Sequence, residues 1–160
     1  MTKDSNRYRR GVGVMLLNRD GKVFVGARID NTDEAWQMPQ GGIDPDEDPW
    51  ATALRELEEE TGISPDLVEK VTECPERLKY ELPKELQGKL WGGKWKGQDQ
   101  DWYLSRFLGT DADVNIHTRH PEFREWKWIE PAQLTELIVP FKRDLYRRLL
   151  REFAPYLAVK

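Results

Sequence analysis

Three glutamates near the middle of the chain share one face of a predicted helix. Glu56, Glu59 and Glu60 stand at positions i, i+3 and i+4, a spacing that groups their carboxylates. No lysine or arginine follows any of them by four residues. Hard oxygen ligands suit Mg²⁺ or Mn²⁺, and Mg²⁺ is usually held by a few carboxylates together with substrate phosphates. The face therefore indicates a divalent-cation site, although three glutamates alone more often form a solvated acidic face.

The residues around this face predict where the helix begins and ends. Asp48 is a suitable N-cap, Pro49 suits the first helical position, and Gly62 suits a left-handed C-terminal turn. The expected helix therefore spans about residues 49–61. Its apolar side chains fall on the flank away from the glutamates: Trp50, Ala53, Leu54 and Leu57.

The same segment fills a longer spaced pattern. Gly41 is followed after five residues by Glu47, and after seven more by Arg-Glu-Leu-Glu-Glu-Glu-Thr-Gly-Ile at residues 55–63. This pattern, Gly-x5-Glu-x7-Arg-Glu-U-x-Glu-Glu-x-Gly-U with U aliphatic, resembles that of the Nudix hydrolases. These enzymes cleave nucleoside diphosphates linked to another group. Every fixed position is filled, so a chance match is improbable.

The resemblance implies an α/β (α+β) fold of the Nudix type, an α/β/α sandwich with a mixed central sheet. We expect residues 1–160 to form a single Nudix hydrolase domain. Hydrophobic patterning agrees with mixed elements, including a hairpin across Asp20-Gly21. Strands are predicted over residues 11–17, 22–27, 68–74, 77–82, 101–108 and 123–129, a short extended piece over 36–38, a loop over 86–100, and helices over 131–138 and 142–153.

Segments outside the glutamate pattern resemble one branch of the family. The branch comprises bacterial RNA pyrophosphohydrolases and plant-type asymmetric diadenosine tetraphosphate hydrolases. The loop over residues 30–35 is less similar, whereas residues 91–97 are particularly like the dinucleoside polyphosphate enzymes. The remaining matches lie at residues 8–9, 36–42, 77–83, 97–102, 121–123 and 141–143.

The branch implies two related reactions. One removes pyrophosphate or phosphate from the 5′ end of triphosphorylated RNA and leaves a 5′-monophosphate, which initiates mRNA decay. The alternative hydrolyses diadenosine tetraphosphate to ATP and AMP. A Mg²⁺ (or Mn²⁺) cofactor is implied in both cases.

Site residues follow from the resemblance position by position. Glu56, Glu59 and Glu60 match metal ligands, with the Gly41 carbonyl and Glu122 as additions. Glu59 is the first choice for the general base or a metal bridge, and Glu122 is the second. The sequence does not separate these roles, because clustered carboxylates titrate as a group. Arg55 is expected to orient the carboxylates by pairing with Glu58 or Glu59. The implied substrate-binding residues are Arg9, Arg28, Gln40, Gly42, Tyr80, Gln98, Phe141 and Lys142.

Some of these residues have a plain structural alternative. Without the resemblance, Tyr80 and Phe141 would be interpreted as core aromatics and Glu122 as a surface carboxylate. A calcium loop starting at Asp44 is rejected, because its sixth position is Pro49 and its twelfth is Arg55.

Positive charge is concentrated near both ends of the chain, although the net charge is −4. A local basic rim could receive a polyphosphate while the acidic helix binds cations. A solvated amphipathic helix face is an equally good explanation of the C-terminal cluster. The net charge argues against indiscriminate nucleic-acid binding and DNA is not an expected partner. The two clusters are Arg7, Arg9 and Arg10, and Lys142, Arg143, Arg147, Arg148 and Arg151.

Composition narrows the remaining classes. Charged residues make up 34% of the 160 residues, and no apolar run approaches the ~20 needed to cross a bilayer. We therefore expect a soluble monomer or weak oligomer without membrane contact. The lone Cys74 excludes an internal disulfide and fits the cytoplasm. One cysteine and two histidines argue against a zinc site, and we assign no role to His117 or His120.

Three functional classes stay open at this stage. They are a metal-dependent pyrophosphohydrolase, a non-catalytic nucleotide-binding sensor, and an interaction protein with a solvated acidic helix. The complete glutamate set favours the enzyme, since a pure binder would not need it.

Overall fold

A central mixed sheet organises the computed structural model, which describes residues 7–29, 35–87, 95–119 and 121–157 (for Glu85, the backbone only). Within these ranges the sheet has seven strands. They are β1 (Tyr8–Leu17), β2 (Val23–Arg28), β3 (Gln40–Gly42), β4 (Val68–Glu73), β5 (Leu78–Glu81), β6 (Gly97–Phe107) and β7 (Phe123–Ile129).

The strand order is β4-β6-β1-β2-β7, with β3 also paired to β1 and β5 to β6. The two longest strands, β1 and β6, run parallel from the pair Tyr8↔Gly97 to the pair Leu17↔Arg106. The other strand pairs in the described ranges are antiparallel. The sheet is therefore mixed, as predicted.

Helices cover both faces of this sheet. α1 packs on one face with a core that includes Leu57, and α4 packs on the other with a core that includes Leu149. This arrangement confirms the predicted α/β/α sandwich. The helices are α1 (Pro49–Thr61), α2 (Lys84–Gln87), α3 (Leu134–Leu137), α4 (Arg143–Glu152) and α5 (Ala154–Leu157). None of them is long and apolar enough to cross a membrane.

The first strand supplies apolar side chains to both layers. Val12, Val14 and Leu16 lie in the core beneath α1, whereas Met15 and Leu17 lie in the core beneath α4. Alternate residues of a strand point to opposite faces of the sheet, so a strand buried on both faces is a continuous apolar run.

β1 and β2 are joined by a hairpin, but they stay paired only close to its turn. Gly21 turns the chain with φ 78°, and the Asn18 side chain accepts hydrogen bonds from the N–H groups of Asp20 and Lys22. The predicted hairpin is confirmed, but β1 pairs with β2 only at Leu17↔Val23. Below that point the two strands diverge, and β3 occupies the edge of β1 instead.

One predicted element is wrong, and a second is confirmed in a divided form. The loop over residues 86–100 is helical up to residue 87, and β6 begins at Gly97, because Gln98 and Gln100 are buried and hydrogen-bonded to one another. The predicted helix over 131–138 is helical from Pro131 to Leu137, but it consists of a 3-10 turn (Pro131–Gln133) followed by α3, and at its start the Gln133 side chain accepts from the Glu130 N–H at 3.0 Å.

Apart from the start of β6, the remaining predicted strands and helices agree with the structure within three residues at each end, and the largest difference is the start of β1 at Tyr8 instead of residue 11. Leu145, Leu149 and Phe153 point inward as expected. Residues 88–94 of the predicted loop, with the first four positions of the 91–97 resemblance, lie outside the described residues. So do residues 30–34 and His120.

Candidate active site

The helix that carries the glutamates is formed by local sequence signals. The Asp48 carboxylate accepts a hydrogen bond from the Ala51 N–H at 2.9 Å, and Pro49 opens the helix. At the other end Gly62 has φ 74° and donates its N–H to the Glu58 carbonyl. α1 therefore has the predicted bounds, and its buried flank fixes which face is turned to solvent.

Four carboxylates form what we call the acid wall: Glu56, Glu59, Glu60 and Glu122. Glu60 is only 3% exposed, whereas the Glu59 side chain is 52% exposed. The three glutamates therefore lie on one face of α1 as predicted, and among them Glu60 is buried whereas Glu59 is exposed to solvent. Glu122 comes from the residue before β7 and faces the same cavity.

Arg55 links the carboxylates to the loop before the helix. Its guanidinium lies 3.2 Å from the Glu59 carboxylate and 3.3 Å from that of Glu56. It also lies 3.1 Å from Glu47, whose other oxygen accepts from the Asp44 N–H at 2.9 Å. Of the two predicted partners, Glu59 is paired. Arg55 therefore holds one edge of the acid wall in place.

Burial and like charge act together on two of the glutamates. Burial, followed by the charge of Glu59, raises the pKa of Glu56. Burial, followed by the charges of Glu56 and Glu122, raises the pKa of Glu60 well above its ordinary value. Positive charge placed among these groups would lower both pKa values.

These residues fit a divalent cation by their chemistry. They are hard oxygen donors, and the burial of Glu60 beside other carboxylates is costly unless a positive charge compensates it. No three acidic, histidine or cysteine side chains among the described residues are grouped closely enough to complete a metal site alone. Mg²⁺ commonly takes only some of its ligands from protein and others from substrate phosphates.

The glycines before α1 allow close approach. A Cβ atom on Gly41 would collide with the Glu56 carboxylate, and one on Gly42 would collide with the Arg9 guanidinium. The absence of side chains at these two positions lets the acid wall and Arg9 lie directly against β3.

A cavity of about 680 Å³ joins the acid wall to the predicted substrate-binding residues. Every predicted site residue except Arg55 lines it. We call the basic, amide and aromatic side chains that line this cavity together with the glutamates the recognition wall. It consists of Arg9, Arg28, Gln40, Tyr80, Gln98, Phe141 and Lys142.

An aromatic pair and a buried cation form the deep part of the recognition wall. The Tyr80 and Phe141 rings lie 6.0 Å apart, and the Lys142 Nζ lies 5.1 Å from the centre of the Tyr80 ring. Lys142 is 6% exposed and donates to the Gln37 side chain at 3.4 Å. Tyr80 also packs in the core, as the structural alternative predicted, and it lines the cavity as well. Burial raises the pKa of the Tyr80 hydroxyl to about 12, which keeps it protonated.

Arg28 and Glu122 connect the two walls. Their side chains lie 3.5 Å apart, and the Glu122 carbonyl accepts from the Ile29 N–H at 2.9 Å. The pairing of β2 with β7 shifts register between Ala27 and Arg28. Such a bulge redirects a side chain, which places Arg28 at the cavity.

The basic clusters contribute only two residues to the cavity, Arg9 and Lys142. Arg10 pairs with Asp101 at 2.8 Å, and Arg147 pairs with Asp144 on the outer face of α4 at 2.8 Å. Arg148 pairs with Glu76 and Glu152. For most of the C-terminal cluster, the expectation of a solvated helix face is therefore correct.

Several residues that line or support the cavity were not predicted, because nothing in their own sequence positions indicates a functional role. Gln37 contacts Lys142, and Val139 and Pro140 line the cavity beside Phe141. Gln37 lies in the 36–42 segment singled out in the sequence, which was the available clue. Val139 and Pro140 are ordinary residues whose position depends on the turn into α4.

A family model, the NUDIX domain, matches residues 7–149 of the chain. The chain belongs to the Nudix family.

Close relatives cover almost its whole length. A protein of Sphingopyxis alaskensis named RNA pyrophosphohydrolase is 57% identical over 152 residues, which cover 95% of this chain and 96% of the relative. Its namesake in Erythrobacter litoralis is 58% identical over 149 residues, 92% of this chain and 91% of the relative. The C. elegans Ap4A hydrolase structure matches with TM-score 0.67 and 24% identity, over 94% of this chain and 98% of that one, and shows the shared fold alone.

Within this Nudix domain, the cavity combines the parts that hydrolysis of a phosphate anhydride requires. Carboxylates that can bind cations and accept a proton line the same cavity as arginines that can bind phosphate oxygens. The aromatic pair beyond them offers a flat apolar surface to a base.

Proposed function

We propose that this Nudix protein is an RNA pyrophosphohydrolase. It would remove pyrophosphate or phosphate from the 5′ end of triphosphorylated RNA and leave a 5′-monophosphate. The observation that carries the choice of substrate is the 57–58% identity, over nearly full length, to two relatives named RNA pyrophosphohydrolase. The cavity supports the same reaction, because the acid wall and the recognition wall line one cavity.

The acid wall is the proposed catalytic and metal-binding part. Mg²⁺ (or Mn²⁺) would be held by Glu56, Glu59, Glu60 and Glu122, with the Gly41 carbonyl as an added ligand. When bound, the cation supplies charge stabilisation to phosphoryl oxygens and lowers the pKa of water. Glu59, the most exposed member on α1, is proposed to take the proton from the attacking water.

The remaining residues orient this chemistry. Arg55 would hold the Glu59 carboxylate in position through their 3.2 Å contact. Arg9 and Arg28 would bind phosphate oxygens, which guanidinium groups recognise in a planar fork. Tyr80 and Phe141 would pack against a base, with Lys142 beside them. Gln40, Gly42 and Gln98 complete the proposed contacts.

Diadenosine tetraphosphate is the second candidate substrate. The observation in its favour is the Trp-Gly-Gly-Lys-Trp-Lys-Gly sequence at residues 91–97, which resembles the dinucleoside polyphosphate enzymes. In that reaction the same walls would act, with ATP and AMP as products.

We propose that residues 1–160 form one domain, that it works in the cytoplasm as a monomer or weak oligomer, and that DNA is not a partner.

A comparison of turnover on three substrates tests the proposal. Purified protein is incubated with 5′-triphosphate RNA, 5′-diphosphate RNA and diadenosine tetraphosphate, each with Mg²⁺ and with EDTA, and all products are identified. We expect 5′-monophosphate RNA to accumulate only with the cation. Greater kcat/KM on diadenosine tetraphosphate would transfer the assignment to the second candidate. Binding without hydrolysis of any substrate would indicate a nucleotide sensor.

A further inference from the structure

Three side chains on one face of β6, at alternate residues of the strand, are joined by hydrogen bonds. The Trp102 Nε1–H donates to the Gln100 Oε1 at 2.8 Å, and the Gln100 Nε2 donates to the Gln98 Oε1 at 2.8 Å. All three residues are at most 1% exposed. We call these residues, Gln98, Gln100 and Trp102, the amide relay. It begins in the core beneath α4 and ends at the cavity, which Gln98 lines.

Glycines on the neighbouring strand provide the space for the relay. Gly11 lies opposite Gln100 and Gly13 opposite Trp102 in the parallel pairing of β1 with β6. A Cβ on Gly13 would lie 2.5 Å from the indole ring, and one on Gly11 would lie 2.7 Å from the Gln98 Oε1. The relay side chains therefore lean across β1 and are confined there.

The direction of the relay follows from one donor. An indole nitrogen can only donate, so it selects the oxygen end of the Gln100 amide. The NH2 end of Gln100 then faces Gln98 and selects its oxygen in turn. The NH2 group of Gln98 is the end left over, and its side chain makes no other hydrogen bond within the described ranges.

The free end of the relay lies next to a phosphate-binding candidate. Arg9 is the partner of Gln98 in the register of β1 with β6, and both line the cavity. Phosphate oxygens accept hydrogen bonds and have no proton to donate at neutral pH. An amide presented by its NH2 end therefore attracts them, whereas the reversed amide would place an oxygen against an anion.

We propose that Gln100 and Trp102 are positioning residues that hold the Gln98 amide with its NH2 group toward the cavity, as a donor to the substrate's phosphate oxygens. The inference rests on the proposed function in taking the substrate to be a polyphosphate. It assigns a role in substrate binding to a tryptophan that is buried in the core and does not line the cavity.

Two measurements with a double-mutant cycle test the relay. The variants are Trp102→Phe, Gln98→Leu and the combination. KM and kcat are measured on 5′-triphosphate RNA, and the side-chain amide resonances of Gln98 are followed by NMR during titration with inorganic tripolyphosphate. Phe153→Leu is the matched control, because it truncates another ring of the same core that takes no part in the hydrogen bonds of the relay.

The relay predicts a specific pattern. Each single variant should raise KM about five- to tenfold, the size of one net hydrogen bond, with kcat changed less than about twofold. Adding Trp102→Phe to Gln98→Leu should raise KM no further, because the amide it orients is gone. Phe153→Leu should lower stability and leave KM unchanged. In the wild type, tripolyphosphate should shift the Gln98 NH2 resonances, and in Trp102→Phe that shift should be reduced.

Other results would overturn the relay. If the KM effects of the two single variants multiply in the double variant, Trp102 acts only through general packing. If tripolyphosphate leaves the Gln98 NH2 resonances in place, that group does not face the phosphates. The titration does not depend on turnover, so a wild-type protein that fails to hydrolyse RNA would refute the proposed function while the titration still decides the relay.

Discussion

The two walls of the cavity are assembled in different ways. Three of the four acid-wall glutamates come from a single turn and a half of α1, and the helix caps that position them are neighbours in sequence. The recognition wall takes its residues from six separate elements, which are β1, β2, β3, β5, β6 and the turn into α4. The acid wall is thus a local structure, whereas the recognition wall exists only once the sheet and both helix layers are in place.

This difference separates the parts of the enzyme that should respond to substitution in different ways. Changes in the acid wall should affect turnover with little effect on binding. Changes in the recognition wall should affect substrate affinity, and changes to the helix caps should affect stability alone.

The sharpest test of the acid wall is Glu59→Gln. Turnover of 5′-triphosphate RNA should fall by at least ~100-fold, because loss of a general base typically has an effect of this size. The free energy of unfolding should change little, since the Glu59 side chain is 52% exposed. Glu58→Gln is the control, because Glu58 is an exposed glutamate of the same helix that does not line the cavity. Near-normal turnover in Glu59→Gln would remove Glu59 from the mechanism.

A pair of substitutions in the C-terminal basic cluster tests the recognition wall. Lys142→Met should raise KM about tenfold, because it removes a buried cation beside the proposed base site. Arg147→Met should change KM less than about twofold, since Arg147 is exposed and paired with Asp144 outside the cavity. Steady-state kinetics on 5′-triphosphate RNA measure both. Equal effects would mean that the cluster acts through its overall charge and not through position.

The buried carboxyl of Glu60 predicts how stability depends on pH without a cation. A carboxyl whose pKa is raised by folding stabilises the protein fully below its unfolded pKa, and this contribution is lost as the pH rises through the folded pKa. In EDTA, the free energy of unfolding should therefore decrease as the pH rises above 4.5, by at most ~1.4 kcal/mol per pH unit for this one proton.

Urea unfolding across this pH range measures the effect. Saturating Mg²⁺ should reduce the decrease, because bound positive charge favours the ionised carboxylates. Glu60→Gln should flatten the profile in EDTA. An unchanged slope in that variant would show that another group is responsible.

The smallest expected effect concerns the cap of α1. Asp48→Ala should destabilise the fold by about 1 kcal/mol, through loss of the hydrogen bond to the Ala51 N–H. KM should stay unchanged, since Asp48 does not line the cavity. Asp46→Ala, at an exposed position before the cap, is the control. A large loss of turnover in Asp48→Ala at full stability would show that the cap also positions the acid wall.

Elements of secondary structure that depend on neighbouring residues were predicted more accurately than those that depend on contacts distant in the chain. α1 was predicted with its correct bounds because Asp48, Pro49 and Gly62 set them locally. The start of β6 was mistaken for a loop because Gln98 and Gln100 are polar, and only their hydrogen bonds to one another and to Trp102 make burial tolerable. A long-range arrangement of that kind leaves no periodic pattern in the chain.

The amino-acid sequence by itself determined the helix of glutamates, the alternation of strands that builds the sandwich, and the family, because each depends on neighbouring residues or fixed spacing. No local signal separated the basic residues that reach the cavity from those that do not: the family resemblance implied Arg9, Arg28 and Lys142, and the tertiary structure brings these three to the cavity. Lys142 is buried beside Tyr80 while Arg147, five residues on, faces outward. That choice depends on how α4 packs against the sheet, and packing partners distant in the chain determine it.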